Sequence, residues 1–259
     1  MNIVVCVKQV PDTWAERRLD PGDKTLDRES VDGVINELDE YAIEEALRLK
    51  EAREGEVTVL TMGPDKASDS IRKALSMGAD KAVHVVDDAL VGSDAVATAR
   101  VMAAALGRTG FDVVVLGSES TDARMAVLPA MLAEVLGAPQ LSLASSVEVD
   151  GQTVRIERQT DYGHDKVEGT MPVVISVVEK INEPRYPSFK GIMAAKKKPV
   201  EQWGVAELGL DPAAVGVAHA ATQVVDFAAR PPREAGTVVA DEGDGGSKAA
   251  EYLAGQKII

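Results

Sequence analysis

The sequence predicts an α/β fold with a doubly wound, mostly parallel sheet, antiparallel strands at its end and an extended C-terminal arm. Three observations lead to this prediction. Short β-branched runs alternate with amphipathic helices over the first half of the chain. Strand-like runs then follow one another without helices up to about residue 180, and the last ~75 residues show little periodic hydrophobicity.

The first elements are a strand, a loop and a helix. Residues 2–7 form a β-branched run typical of a buried strand. Residues 8–28 are polar and contain Pro11, Pro21 and Gly22, which indicates a long loop or an irregular hairpin. Apolar residues then recur at helical spacing over residues 37–53.

Strands and helices then alternate in regular order. The pattern predicts strands at 57–61, 81–86 and 113–116, and helices at 66–77, 93–106 and 122–136. Gly78 is the expected C-cap of one helix and Ser93 the expected N-cap of the next. Such alternation indicates a parallel sheet with right-handed crossovers.

The end of the domain changes character. Residues 145–149, 153–158 and 172–178 are strand-like, and Asp150-Gly151 is a strong hairpin turn between the first two runs. We therefore expect an α/β domain over residues 1–183 with antiparallel strands at its end. Residues 184–259 lack the periodicity needed for a core of their own, so we expect them to be disordered or to wrap onto another protein.

Composition limits the function classes. The net charge of −14 disfavours nucleic acid as a partner. One cysteine allows no internal disulfide, and three scattered histidines form no metal motif, so we expect no metal site and a cytoplasmic location. No apolar stretch approaches the ~20 residues of a membrane span.

Four segments should meet where a parallel sheet binds ligands, beyond the carboxyl ends of its strands: residues 6–8, 36–39, 62–64 and 117–128. In the last segment, SESTDAR leads into a predicted helix whose N-terminal amides could bind phosphate, with Arg124 adding charge. The alternative is that Ser120, Thr121 and Asp122 only cap that helix.

Enzymatic and dinucleotide motifs are absent. The sequence contains no GxGxxG, GxxxxGK[ST], GxSxG or HExxH. An enzyme that hydrolyses or adenylates a substrate is therefore disfavoured against a binding or carrier protein, and we expect no catalytic residues. Phe189 is a lone aromatic in a polar segment, PSFKG, where it could anchor a partner or pack on its own domain.

Residues 182–198, NEPRYPSFKGIMAAKKK, strongly resemble the signature of electron-transfer flavoprotein beta subunits, which reads like NEPRYATLPNIMKAKKK. Other motifs fall in the order of that family: IVVCVKQVPD, INELDEYAIEEALRLKE, IRKALSMGADKAVHV and VVDFAARPPREAG. The similarity thus covers nearly the whole chain.

The resemblance implies an electron carrier that works as a heterodimer. The beta subunit would bind AMP, and its arm, residues 184–259, would wrap the alpha subunit, which holds most of the FAD. Electrons would come from acyl-CoA and related dehydrogenases in fatty acid oxidation and leave to a membrane quinone oxidoreductase. In electron-bifurcating relatives a second FAD replaces AMP, and this alternative stays open.

The resemblance also assigns residues by position. Cofactor contacts would be Cys6, Asn36, Glu37, Leu38, Asp39, Met62, Gly117, Ser118, Glu119, Ser120, Thr121, Asp122, Ala123, Arg124, Met125, Ala126, Val127 and Leu128. Partner recognition would fall to Arg185, Tyr186, Pro187, Ser188, Phe189, Lys190, Gly191, Ile192, Met193 and Ala194. Phe189 takes the place of an anchoring leucine.

One departure and one rival interpretation remain. The loop GSESTDARMAVLP lacks the later glycines and the threonine of the family's GRQAIDGDTGQVG, which favours backbone contacts to AMP over side-chain contacts. A free-standing adenine-nucleotide sensor resembling universal stress proteins would share the architecture. The long tail and the Arg185 segment disfavour it.

Overall fold

The computed structural model describes residues 1–233, 236 and 238–259. It contains two compact units, Met1–Val225 and Asp226–Ile259. The strands of the first unit, in chain order, are β1 Asn2–Cys6, β2 Gln9–Pro11, β3 Gly33–Ile35, β4 Glu56–Met62, β5 Lys81–Val85, β6 Val113–Gly117, β7 Gln140–Ala144, β8 Ser146–Asp150, β9 Thr153–Thr160, β10 Gly163–Thr170, β11 Val173–Val177 and β12 Val200–Trp203.

Seven strands form one parallel sheet in the order β12-β5-β4-β1-β6-β11-β7. The chain starts in the middle at β1, builds outward through β4 and β5, and then crosses to β6 on the other side. The direction of winding therefore reverses between β1 and β6, which confirms the predicted doubly wound α/β fold.

Helices cover both faces of the sheet. The covering helices are α1 Glu37–Arg53, α2 Ser68–Met77, α3 Ala95–Thr109 and α4 Leu128–Leu136. The short helix α5 Phe189–Ala195 packs on α2, and the second unit contains α6 Gly245–Gly255. One apolar cluster joins the sheet to α1 and α2 through residues such as Ile43 and Leu75. A second joins the opposite face to α3 and α4 through Leu106 and Leu132.

Most predicted elements are confirmed, including α1 at its predicted bounds and the Gly78 C-cap, whose amide donates to the Ala74 carbonyl. Ser93 was the wrong N-cap, since the Asp94 carboxylate accepts from the Ala97 amide instead. The helix expected from residue 122 begins only at Leu128. Residues 120–122 are held by other segments, described below, and Arg124 and Ala126 have positive φ angles that no helix contains.

The second half departs further from the prediction. The Asp150-Gly151 hairpin turn is confirmed, and β8, β9 and β10 form a separate antiparallel sheet. The predicted strand over 172–178 is not part of it, because β11 lies parallel between β6 and β7. Neither β7 nor β10 was predicted: β7 is only five residues long, and β10 consists mostly of polar residues and glycine.

Part of the predicted arm belongs to the first unit. β12 pairs with β5 at the sheet edge, and Trp203, Val205 and Val215 are buried against the second apolar cluster. Residues 234, 235 and 237 of the predicted arm lie outside the described residues, so the VVDFAARPPREAG motif is described only in part. No helix in the described ranges has the length and apolar character needed to cross a membrane.

Candidate functional site

The candidate site is a crevice at the carboxyl ends of β1 and β6, where the sheet winding reverses. Open α/β sheets bind ligands at such a switch point, because the loops that follow the two strands turn to opposite faces. Here the loop after β1 supplies Lys8, and the loop after β6 supplies residues 118–127, which connect to α4.

The side chain of Asn36 joins the two sides of the crevice. Its Nδ2 donates to Asp39 Oδ1 at 2.9 Å and to the Glu119 carbonyl at 2.9 Å. Its Oδ1 accepts from the Thr121 amide at 3.0 Å. Asn36 is buried, so these bonds replace water at groups that would otherwise be unsatisfied, and they fix the loop after β6 in place.

Asp39 lies directly beneath that loop. Its Oδ2 accepts from the Lys8 amide at 2.7 Å. Burial is the main cause that raises the Asp39 pKa to about 7, and the hydrogen bonds from Lys8 and Asn36 oppose the shift. Gly117 is required here, because a Cβ at this position would lie 2.7 Å from Asp39 Oδ1 and 2.8 Å from the Leu38 carbonyl carbon.

An ion-pair network spans the crevice. Lys8 Nζ lies 2.8 Å from Asp122 Oδ1, and Arg28 Nη2 lies 3.5 Å from Asp122 Oδ2. The Asp122 side chain is only 3% exposed. Burial alone would raise its pKa, but Lys8, Ser120 and Arg28 together lower it, so the carboxylate is ionised at neutral pH.

The structure brings together Asn36, Asp39, Gly117, Glu119 and residues 120–122. Cys6 is buried at the end of β1, and burial raises the pKa of its thiol. Met62, Leu38, Ser118, Val127 and Leu128 are half-buried near the strand ends.

Some predicted residues face solvent instead: Glu37, Ala123, Arg124, Met125 and Ala126 are exposed. Sequence reasoning missed Arg28, which reaches the site from the irregular loop before β3 and is held by the Gln9 carbonyl at 3.2 Å. No local pattern marks such a long-range contact.

Thr121 carries an unused polar atom in this loop. The residue is 8% exposed, and its hydroxyl has no hydrogen-bond partner among the described residues. A buried hydroxyl without a partner is costly. The crevice also contains two partly exposed cations, Lys8 and Arg28, which suit a phosphate-bearing ligand. Within the described ranges no cluster of His, Cys, Asp and Glu is placed to hold a metal ion.

The predicted recognition segment lies elsewhere, on α1 and α2. Arg185 donates to both oxygens of Glu44, at 2.7 and 3.0 Å, and to Glu51 at 2.6 Å. Although burial opposes it, Arg185 lowers the pKa of Glu44. Arg185 is therefore an internal anchor of the segment, because its guanidinium is engaged by its own chain.

Beyond this anchor the segment presents apolar side chains to solvent. Phe189 begins α5 and is 81% exposed, Tyr186 is 96% exposed, and Ile192 and Met193 are about half exposed. Ser188 caps the helix by accepting from the Gly191 amide at 3.0 Å.

Gly191 sits against α2, where a Cβ would come 2.5 Å from the Ser76 carbonyl oxygen. Lys190 and Ala194 are exposed, and Pro187 is half-buried. Phe189 therefore does not pack on its own domain, because most of its ring is exposed.

Comparison with known proteins gives consistent matches. Residues 23–208 match the family described as the electron transfer flavoprotein domain. The chain is 52% identical to the electron transfer flavoprotein subunit beta of Mycobacterium tuberculosis, over 100% of this chain and 99% of that protein. It is 40% identical to the subunit beta of Clostridium acetobutylicum, with 92% of each covered. A third relative is the caffeyl-CoA reductase-Etf complex subunit CarD of Acetobacterium woodii, 35% identical over 92% of each.

Proposed function

Because the chain belongs to the electron transfer flavoprotein family and matches its beta subunits along its full length, we propose that it is a carrier subunit that binds AMP and assembles with an alpha subunit holding most of the FAD. The observation that carries the AMP proposal is the crevice between β1 and β6. Its loop is tied by Asn36 and contains the free Thr121 hydroxyl.

The proposed AMP contacts are those that the family resemblance assigned, with Lys8 and Arg28 added from the structure. The backbone of residues 117–122 follows β6, and Gly117 allows it to run close to α1. The phosphate would meet Lys8 and Arg28 and the Thr121 hydroxyl, and the adenine would lie near Cys6 and Met62. A nucleotide at this point would satisfy the buried hydroxyl and so stabilise the fold as a structural ligand.

The redox chemistry would be supplied by the flavin, which accepts and donates electrons. This chain's residues would contribute binding and positioning, and none is proposed as an acid, base or nucleophile. Electrons would arrive from acyl-CoA and related dehydrogenases, as in fatty acid oxidation, and leave through a membrane quinone oxidoreductase. We place the protein in the cytoplasm, where its one buried thiol would stay reduced.

We propose that the recognition segment, residues 185–194, docks on partner dehydrogenases. Its exposed apolar side chains, led by Phe189, are the kind that fill pockets on a partner surface. The arm was expected over residues 184–259; the part that the structure leaves outside the first unit, residues 226–259, is proposed to wrap the alpha subunit.

Co-purification with the alpha subunit, followed by denaturation and cofactor chromatography, tests the proposal. We expect one FAD and one AMP per heterodimer. Two FAD would instead support the electron-bifurcating alternative, and absence of any adenine nucleotide would remove the crevice assignment. A chain that purifies as a stable homodimer without a partner would favour the sensor resembling universal stress proteins.

A further inference from the structure

Three charged side chains meet at the mouth of the crevice between β1 and β6. Lys8 follows β1, Asp122 follows β6, and Arg28 approaches from the loop before β3. The local charge, summed over these three side chains, is +1; Asp39, which accepts from the Lys8 amide, is a separate group in the same site that ionises as pH rises through its pKa of about 7. Arg124 and Glu119, which pair at 3.9 Å in the same loop, cancel each other.

These charges differ in their access to solvent. The Asp122 side chain is 3% exposed, whereas about a third of each of the Lys8 and Arg28 side chains remains exposed. A ligand can therefore reach both cations without displacing the carboxylate that lies beneath them. Because Asp122 is paired with both Lys8 and Arg28, its negative charge offsets part of the positive charge that a ligand would meet at these two side chains.

We propose that Asp122 is a specificity-determining residue, which limits the positive charge of the crevice so that a nucleoside monophosphate is preferred over a diphosphate or triphosphate. The inference rests on the proposed function, since it refines which nucleotide the crevice accepts. A second observation lies in the same loop: the buried Thr121 hydroxyl, next to Asp122, has no partner among the described residues.

The electrostatic reasoning gives a sign and a size. A monophosphate carries about −1.5 to −2 charges near pH 7, and each added phosphate contributes about one more. Replacing Asp122 by Asn raises the local charge from +1 to +2, which benefits the more highly charged ligand most. At an effective dielectric constant of about 20, one extra charge several ångströms away should change the preference about fivefold after salt screening.

The experiment is a competition by dialysis. The full-length chain is dialysed to equilibrium against equal concentrations of AMP and ADP without Mg²⁺, and the bound nucleotides are then quantified by chromatography. We expect mostly AMP on the wild type, and a bound ADP-to-AMP ratio about fivefold higher for Asp122→Asn. The shift should shrink in high salt, since the interacting cations are partly exposed.

Two further variants keep the test decisive. Lys8→Met removes a positive charge and should lower the ADP-to-AMP ratio, which provides a readout of opposite sign if Asp122→Asn folds poorly. Asp80→Asn is the matched control, because it makes the same change in net charge beside Lys50 at the opposite end of the sheet and should leave the ratio unchanged.

The outcomes separate this inference from the proposed function. Retention of AMP with the same ratio in wild type, Asp122→Asn and Lys8→Met would overturn the inference and leave the AMP site standing. A wild-type chain that retains neither nucleotide would overturn both. An equal shift in Asp80→Asn would show that overall charge, and not the position of Asp122, governs selectivity, which also overturns the inference.

Discussion

The crevice loop, residues 117–128, is an irregular connection fixed to the N-terminus of α1, whereas the recognition segment, residues 185–194, is largely the short helix α5 held against α1 and α2. The crevice loop is tied at several backbone points by Asn36, with Lys8 and Asp122 closing it from above. The recognition segment is held at its start by Arg185 on Glu44 and Glu51, and further along by Gly191, which lies against α2.

The two regions show how one fold can present both a site for a small ligand and a surface for a protein partner. Polar groups that are fixed from several sides are suited to enclosing a small charged ligand, because their geometry is set in advance. A segment that is held against two helices on one side and presents exposed apolar side chains on the other is suited to a protein surface. The following predictions test whether the two regions differ in this way.

The largest effect is expected for Asn36→Ala. It removes a partner from Asp39 Oδ1, from the Glu119 carbonyl and from the Thr121 amide, three groups that are buried or nearly so. At 1–3 kcal/mol for each unsatisfied group, the free energy of unfolding should fall by about 4 kcal/mol. Urea unfolding measures the loss, and a change below about 1 kcal/mol would show that the loop is held in another way.

Arg185→Met should cost about 3 kcal/mol of stability. It leaves Glu44, whose side chain is 6% exposed, without its main partner in a buried setting. Glu51→Gln is the matched control, since that carboxylate is more than half exposed and should contribute little. Equal losses in the two variants in thermal or urea melts would argue against the anchoring role.

Phe189→Ala should separate docking from folding. Because the ring is 81% exposed, its loss should leave the melting temperature nearly unchanged. Apparent affinity for a cognate dehydrogenase should fall about thirtyfold, or about 2 kcal/mol. Steady-state reduction of the heterodimer flavin at varied carrier concentration measures it.

Phe189→Leu keeps an apolar anchor and serves as the control that should retain most of the affinity. A lower melting temperature in Phe189→Ala with unchanged affinity would contradict the docking role.

The smallest expected change in stability per step is its dependence on pH. The Asp39 pKa is raised to about 7, above its ordinary value near 4 when unfolded, so the folded state binds the extra proton between those values. The contribution of Asp39 to the free energy of unfolding is therefore greatest at low pH, where its carboxyl is protonated. It is lost as pH rises through about 7, by about 1 kcal/mol per pH unit between pH 5 and 7.

The ion pair of Arg185 and Glu44 has the opposite pH dependence. Because the Glu44 pKa is lowered, the stability that this pair contributes is lost only in acid, as pH falls below the ordinary glutamate value. Urea unfolding at pH 5.5, 6.5 and 7.5 should show the falling slope in wild type and lose it in Asp39→Asn, which cannot titrate. A flat wild-type profile would refute the pKa assignment.

From residue type alone the sequence indicated the fold class, the family resemblance and the strands in the middle of the sheet. Period-3.6 and β-branched patterns are local, so α1, β4 and β6 could be located closely from residue type alone. The same reasoning brought Asn36, Asp39 and Gly117 to one edge of the sheet, because carboxyl ends of parallel strands must meet there. Phe189 stood out as a lone aromatic in a polar segment, but only the structure shows that its ring is exposed.

The features that depend on contacts between distant parts of the chain became visible only in the tertiary structure. Residues 122–127 look helical locally, yet Asn36 and Lys8 hold the preceding residues across the crevice, and the helix starts at Leu128. Arg28 and Arg185 found their partners across distant parts of the chain, and β12 joined the sheet after a segment with weak periodicity. Such pairings depend on which surfaces meet in space, and no local pattern encodes them.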